Sequence, residues 1–238
     1  MKLKDRFEQY SDFSNQKVLN KVPLIINING KGFHKITSLL DKPFDLTFND
    51  CLESTMKKLC VEVEGASIGY CYNDNIIIVS RNDQNINTIP WFNNNIQKLC
   101  SITSSIATSH FTKYSSNIGM QLMSEPYFYS KLYPIPNLSE ALNMLVCYQQ
   151  LNIINSLNFT CYYSLLNKYN KVKAKEFVKN LSQIEKIELL ESLNIDFSLM
   201  NHKFRFGSIC IKDENNKWDI INCPLISQNQ DLIKNYII

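Results

Sequence analysis

Apolar and polar positions follow two rhythms along this chain. Residues 22–28 (VPLIINI) are almost continuously apolar and β-branched, as in a strand covered on both faces, and predict a first strand there. Over 47–62 the residues Phe48, Leu52, Met56, Leu59 and Cys60 recur at helical spacing and predict an amphipathic helix. ASIGYCY and NIIIVS, separated by Asn73-Asp74, predict two strands joined by a short polar turn. Phe92, Ile96, Leu99, Ile102, Ile106 and Phe111 predict a second helix over 91–114. Residues 127–133, closed by Pro134-Ile135-Pro136, predict a fourth strand.

Strand, helix, two strands, helix, strand is the split βαβ order, an α+β fold with an antiparallel sheet and two helices across one face. That arrangement resembles the palm of nucleotide polymerases and cyclases, where carboxylates at the end of strand one and at the central hairpin hold two divalent ions. After Asn137 the pattern changes to a long helical stretch over 138–167, then VKAKEFVKNL. Ser182 and Glu185 form a capping box that opens a short helix, SQIEKIELLESL. FRFGSICIKDENNKWDIINC predicts a closing hairpin with its turn near 213–216. The expected division is a palm-like domain at 1–137 and a helical region with a terminal β-hairpin at 138–238, packed as one unit.

Composition narrows the chemistry. With 238 residues, 45% of them hydrophobic, the chain can bury a core without disulfides. Its eight cysteines never form a C-x-x-C pair, and His34, His110 and His202 are far apart, which argues against zinc. Cysteines within apolar runs, such as Cys60 and Cys210, suit the reduced thiols of a cytoplasmic protein. The charged start MKLKDRFEQYSDF lacks the apolar core of a signal peptide, and no apolar run approaches the roughly 20 residues of a membrane span. A cytoplasmic protein with no membrane partner is expected. The net charge of +3 leaves RNA binding open.

Gly30-Lys31-Gly32-Phe33-His34 follows the first strand and reads either as a tight turn or as a backbone cradle for phosphates. Asn73-Asp74-Asn75 reads either as an ordinary hairpin turn or as the second half of a metal site. ININGKGFHKIT resembles the signature of the tRNA(His) guanylyltransferases, in which a strand ends in Asp-Gly-Arg-Gly-Phe-His. Further likenesses keep that family's order: Lys42-Pro43-Phe44-Asp45, GYCYNDNIIIV, Lys98-Leu99-Cys100-Ser101, YFYSKLYPIPN, Gln149 with Asn155, Lys186-Ile187-Glu188-Leu189-Leu190, and Arg205-x-Gly207. The resemblance spans about residues 20 to 212.

It implies a nucleotidyltransferase that adds a nucleotide, GMP from GTP, to the 5′ end of a tRNA in the 3′-to-5′ direction, with ATP or GTP activating the 5′ phosphate. It also implies two Mg²⁺ ions, with Asn29, Gly30 and Asp74 at the ligand positions and Asn29 and Asp74 as the catalytic pair. Gly30, Lys31, Gly32, Phe33, His34, Lys42, Asn73 and Lys98 fall at nucleotide-binding positions, and Gln149, Asn155, Lys186 and Arg205 at RNA- or nucleotide-contacting ones. A homo-tetramer, or a hetero-oligomer beside an active relative, follows from the same resemblance. Beside these readings stand plain ones: His34 can cap or pack, Lys42 and Lys98 can face water, and Arg205 can pair with an acid. Asn29, Asn75 and Tyr129 stand where the family has carboxylates. Tyr148 replaces the arginine before Gln149, and Asn93-Asn94-Asn95 a basic run. Mg²⁺ prefers charged oxygens, so the alternative is a catalytically impaired nucleotide- or RNA-binding homologue or inactive subunit.

Overall fold

A computed structural model of the chain describes residues 2–237. In chain order the elements are α1 (Leu3–Ser11), β1 (Leu24–Lys31), α2 (Phe33–Ile36), α3 (Leu46–Glu62), β2 (Ala66–Tyr72), β3 (Asn75–Ser80), α4 (Ile96–Asn117) and β4 (Tyr127–Pro134). Then come α5 (Leu138–Leu165), α6 (Lys171–Asn180), α7 (Gln183–Ser192), α8 (His202–Phe206), β5 (Ser208–Lys212), β6 (Trp218–Asn222) and α9 (Gln230–Ile237). The six strands make one antiparallel sheet in the order β4-β1-β3-β2-β5-β6. The first four positions are the palm arrangement. The closing hairpin extends the same sheet from the edge of β2, so the predicted four-stranded sheet becomes six-stranded.

Both faces are covered, which explains the unbroken apolar strands. Ile26, Ile28, Ile76 and Ile78 point to α3 and α4 and meet Leu52, Met56, Leu59, Leu99 and Phe111. Ile25, Tyr70, Ile77, Val79 and Ile209 point the other way, to Ala141, Leu142 and Leu145 of α5 and Ile233 and Ile237 of α9. The far half of α5 leaves the sheet and buries Leu157, Cys161 and Leu165 against α6 and α7. Ser182 and Glu185 make the expected capping box at α7. No helix among the described residues is long and apolar enough to cross a membrane.

Three boundaries depart from expectation, the closing hairpin among them: Phe204-Arg205-Phe206 belong to α8, and its first strand begins at Ser208. The first strand does not stop at Ile28: Asn29, Gly30 and Lys31 stay extended because β4 pairs with all three and β3 continues to pair with Asn29. The second helix begins at Ile96 rather than Trp91, because Phe92, Asn93 and Asn94 adopt left-handed backbone and break the helix before it starts. Asn95 then caps it, its side chain accepting from the Lys98 amide at 2.9 Å.

Candidate nucleotide-binding cleft

The chemistry-bearing residues gather at the C-terminal end of β1. Gly30 lies against Phe33, where an added Cβ would fall 2.4–2.7 Å from the ring. Phe33 in turn sits edge-on to Phe48, Phe111 and Phe128 at 5.9, 5.4 and 4.9 Å. Such pairs each contribute about 0.5–1.5 kcal/mol beyond burial, so Phe33 anchors the segment that follows. Gly32 takes φ +70 and turns the chain into α2, placing His34 at the rim. The predicted glycine-bracketed turn is therefore a strand end followed by one left-handed glycine.

β1 and β3 are neighbours, so Asn29 lies opposite Asn75, and the hairpin tip Asn73-Asp74 arrives beside Gly30, whose amide donates to the Asp74 carbonyl at 2.9 Å. Asn73 adopts φ 49, the left-handed conformation that asparagine tolerates in tight turns. Alternation along β1 turns Asn29 and Asn27 to the α5 side. There the Asn29 Nδ2 donates to Asn27 Oδ1 at 2.9 Å, and the Asn27 Nδ2 to the Tyr148 hydroxyl at 2.8 Å. Burial pushes the Tyr148 phenol up to about 12, so it stays protonated and can accept that bond. Burial likewise raises the Asp74 carboxyl above its ordinary value; its Oδ1 accepts from Asn75 Nδ2 at 3.3 Å.

Beside this tip opens a cavity of about 290 Å³ lined by Phe33, His34, Lys42, Phe44, Asp74 and Lys203, among others. Asn73 also lines it and donates to Asn152 of α5 at 3.4 Å. Lys42 donates to the Thr37 carbonyl, and burial lowers its ammonium below the usual lysine value despite Asp45 nearby. Asp45 itself is the cap of α3, accepting from the Phe48 amide at 2.8 Å and from Asp41 at 3.2 Å.

The structure thus brings together Asn29, Gly30, Phe33, His34, Lys42, Asn73 and Asp74, with Gly32 forming the bend between them. Asn155, partly exposed on α5, lies one turn before Phe159 of the cleft wall. Other expected contacts go elsewhere. Lys31 ends β1 opposite Tyr127, exposed and outside the cavity wall. Lys98 lies apart from the cleft. Thr108 of α4 bonds the Phe128 amide and Thr103 bonds Ser130, so α4 runs antiparallel to β4. Its first turn therefore lies about 15 Å along the axis from the site end of the sheet. Gln149 is only 1% exposed; it donates to the Phe206 and Pro224 carbonyls at 3.1 and 2.8 Å and accepts from the Ile226 amide at 2.8 Å. Lys186 is 8% exposed, against α5, and Arg205 donates to the Ser198 carbonyl with its guanidinium 4.6 Å from the Phe206 ring. Both are folded into the α5–α8 packing.

Several wall residues, Asn49 among them, were not legible beforehand. Phe204 stacks on Phe44 at 4.8 Å, Phe159 meets Phe44 edge-on at 6.5 Å, and Lys203 reaches across from α8. The alternation His202-Lys203-Phe204 was the only hint, and nothing local says that α8 folds back onto α3.

The donor set at the hairpin tip bears on the expected ions. Among the described residues no three His, Cys, Asp or Glu side chains gather where they could hold a metal. One carboxylate beside a neutral amide fits a Mg²⁺ ion whose remaining shell comes from phosphate and water.

A β4-β1-β3-β2 sheet with a carboxylate at its central hairpin, next to an aromatic and basic cleft, is the palm of a nucleotide-handling protein. The comparisons with known proteins narrow this. The tRNAHis guanylyltransferase family model matches residues 4–136, and the chain belongs to that family. It is 26% identical to the tRNA(His) guanylyltransferase of Schizosaccharomyces pombe over 88% of this chain and 81% of that one. It is also 26% identical to a probable tRNA(His) guanylyltransferase of Dictyostelium discoideum over 87% and 82%. Among solved structures, a bacterial tRNA(His) guanylyltransferase-like protein in complex with ATP superposes with a TM-score of 0.88 over 99% of both chains at 24% identity. The Saccharomyces cerevisiae enzyme does so with 0.78 over 94% and 99% at 19%. These likenesses bear out the α+β palm.

Proposed function

We propose that this protein is a nucleotidyltransferase that adds a guanine nucleotide to the 5′ end of a tRNA, using ATP or GTP to activate the 5′ phosphate. The observation that carries this is the convergence of Asp74, His34 and Lys42 on one cleft at the end of β1, where Asn29 pairs with Asn75 beside the Asp74 turn. The family relatives named for this activity support it. A triphosphate would lie along the Gly32–His34 bend, with His34 and Lys42 donating to its oxygens. When bound, Mg²⁺ neutralises charge on the phosphate oxygens, and Asp74, with the Asn29 amide oxygen beside it, would hold that ion. Asn29, tethered through Asn27 to Tyr148, keeps its amide in place without adding charge. An oligomer fits the apolar residues left open near the N-terminus, Leu3, Phe7, Tyr10 and Phe13. Cytoplasmic residence fits the unpaired cysteines.

A second reading, a nucleotide- or RNA-binding homologue without turnover, draws on one observation: Asp74 is the only carboxylate at the hairpin tip, with Asn29 and Asn75 across from each other beside it. One assay separates the two. Purified protein is incubated with Mg²⁺, labelled GTP, ATP and 5′-phosphorylated tRNA, alongside Asp74→Ala and Asn29→Asp. Turnover predicts label transfer by the natural chain, reduced about 10²-fold or more in Asp74→Ala, since losing 3 kcal/mol of charge stabilisation costs roughly that factor. No transfer by the natural chain, with transfer restored in Asn29→Asp, would leave the binding reading standing and the enzymatic one refuted.

A further inference from the structure

The inner wall of the cleft carries two polar groups that the phosphate-binding reading does not use. Asn49 of α3 is only 8% exposed, lines the cavity, and has a buried Nδ2 with no hydrogen-bond partner. Buried amides are normally paired, so an orphan in a side chain of the cavity wall, sealed in this conformation and able to turn to the cavity, points to a missing ligand. One turn along the same helix face is Glu53, 5% exposed, which accepts from Lys203 Nζ at 2.8 Å through one oxygen and from the Ser208 hydroxyl through the other. Lys203 also lies 3.9 Å from Asp50. The ammonium is thus held in place, with one of its three donors committed to Glu53.

Charge decides what this wall can receive. Lys203 stands against two carboxylates, so the spot is net negative and repels a triphosphate. A neutral ring with hydrogen-bond acceptors on its edge meets no such penalty, and it finds an aromatic surface next door in Phe204, stacked on Phe44 with Phe159 at its edge. We infer that Lys203 and Asn49 bind the purine base of the nucleotide, Lys203 donating to a ring acceptor and the Asn49 amide closing on the neighbouring edge position, while the triphosphate lies toward His34 and Lys42. This rests on the reading of the cleft as a nucleotide site.

Calorimetry on the full chain with Mg²⁺ and three probes, GTP, ATP and inorganic tripolyphosphate, tests it. Lys203→Met is expected to weaken both nucleotides about 10-fold, the loss of one good hydrogen bond to a charged donor, and tripolyphosphate less than twofold. Asn49→Ala, which removes no bonded group and so spares the fold, is expected to weaken the nucleotides about threefold to 10-fold with the same indifference to tripolyphosphate. If Lys203→Met fails to fold because Glu53 is left unpaired, Asn49→Ala decides alone. Equal losses for nucleotide and tripolyphosphate would make these residues phosphate ligands and overturn the inference, as would no loss at all. Failure of the natural chain to bind either nucleotide would instead refute the nucleotide cleft itself.

Discussion

The two faces of the sheet are held in different ways. Toward α3 and α4 the contacts are mainly apolar: isoleucines of β1 and β3 meet Leu52, Met56, Leu59 and Phe111, and the aromatic cluster around Phe33 closes the end. Toward α5 the apolar contact stops at Leu145, and the next turns carry Tyr148, Gln149, Asn152 and Ser156, whose side chains bond Asn27 and the carbonyls of 204–206 and 224. The first face resists unfolding through buried area, which has no direction. The second fixes where α8 and the hairpin tip lie, because a hydrogen bond is lost within a few tenths of an ångström. Function sits where direction was built in.

That contrast can be broken experimentally. The largest effect is expected from Phe33→Ala: about 3–5 kcal/mol of stability lost in denaturant unfolding, from the cavity left in the aromatic cluster. A loss under about 1 kcal/mol would mean that this face does not depend on packing. Next, Gln149→Leu is isosteric enough to keep the volume but strands the Ile226 amide and two carbonyls, and should cost about 2–3 kcal/mol. A neutral outcome would put the α5 face on the same footing as the other. The smallest effect belongs to Asp74→Asn. Burial raises the Asp74 carboxyl, so its charged form opposes folding above the folded-state pKa and that opposition vanishes as pH falls below the ordinary aspartate value. The variant should melt slightly higher than the natural chain at neutral pH and equally at acid pH; a lower melting point at neutral pH would show that the carboxylate stabilises the tip.

What could be read in the sequence divides along the same line. The strands and the long helices were legible because burial on both faces leaves apolar runs and burial on one leaves a 3.6-residue period. Asn29, Gly30 and Lys31 were not legible as strand: their composition is that of a turn, and only pairing with β3 and β4, from residues 46 to 100 positions away, keeps them extended. That the end of β1 meets the 73–75 hairpin was expected from the palm-like order of the elements, and Asn29 pairs there with Asn75. The distance of Lys98 from the cleft depends on the direction of its helix, and the burial of Gln149 on partners at 206, 224 and 226, neither of which a short motif shows. Lys203 and Asn49 were missed because their partnership exists only once α8 has folded onto α3.

β1 and β3 are interior strands, each bonded on both sides. A one-residue slip of either would carry Ile28 or Ile76 to the opposite face, toward α5, and break ladders on two flanks, so the spacing of Asn29, Asn75 and Asp74 is held by the whole sheet rather than by the charges these positions carry. The address of the site is therefore independent of its occupant's charge. Carboxylates can be exchanged for amides at 29 and 75, or restored, one at a time, without the frame moving, and this chain is a scaffold on which the electrostatic share of nucleotidyl transfer can be measured separately from its geometry.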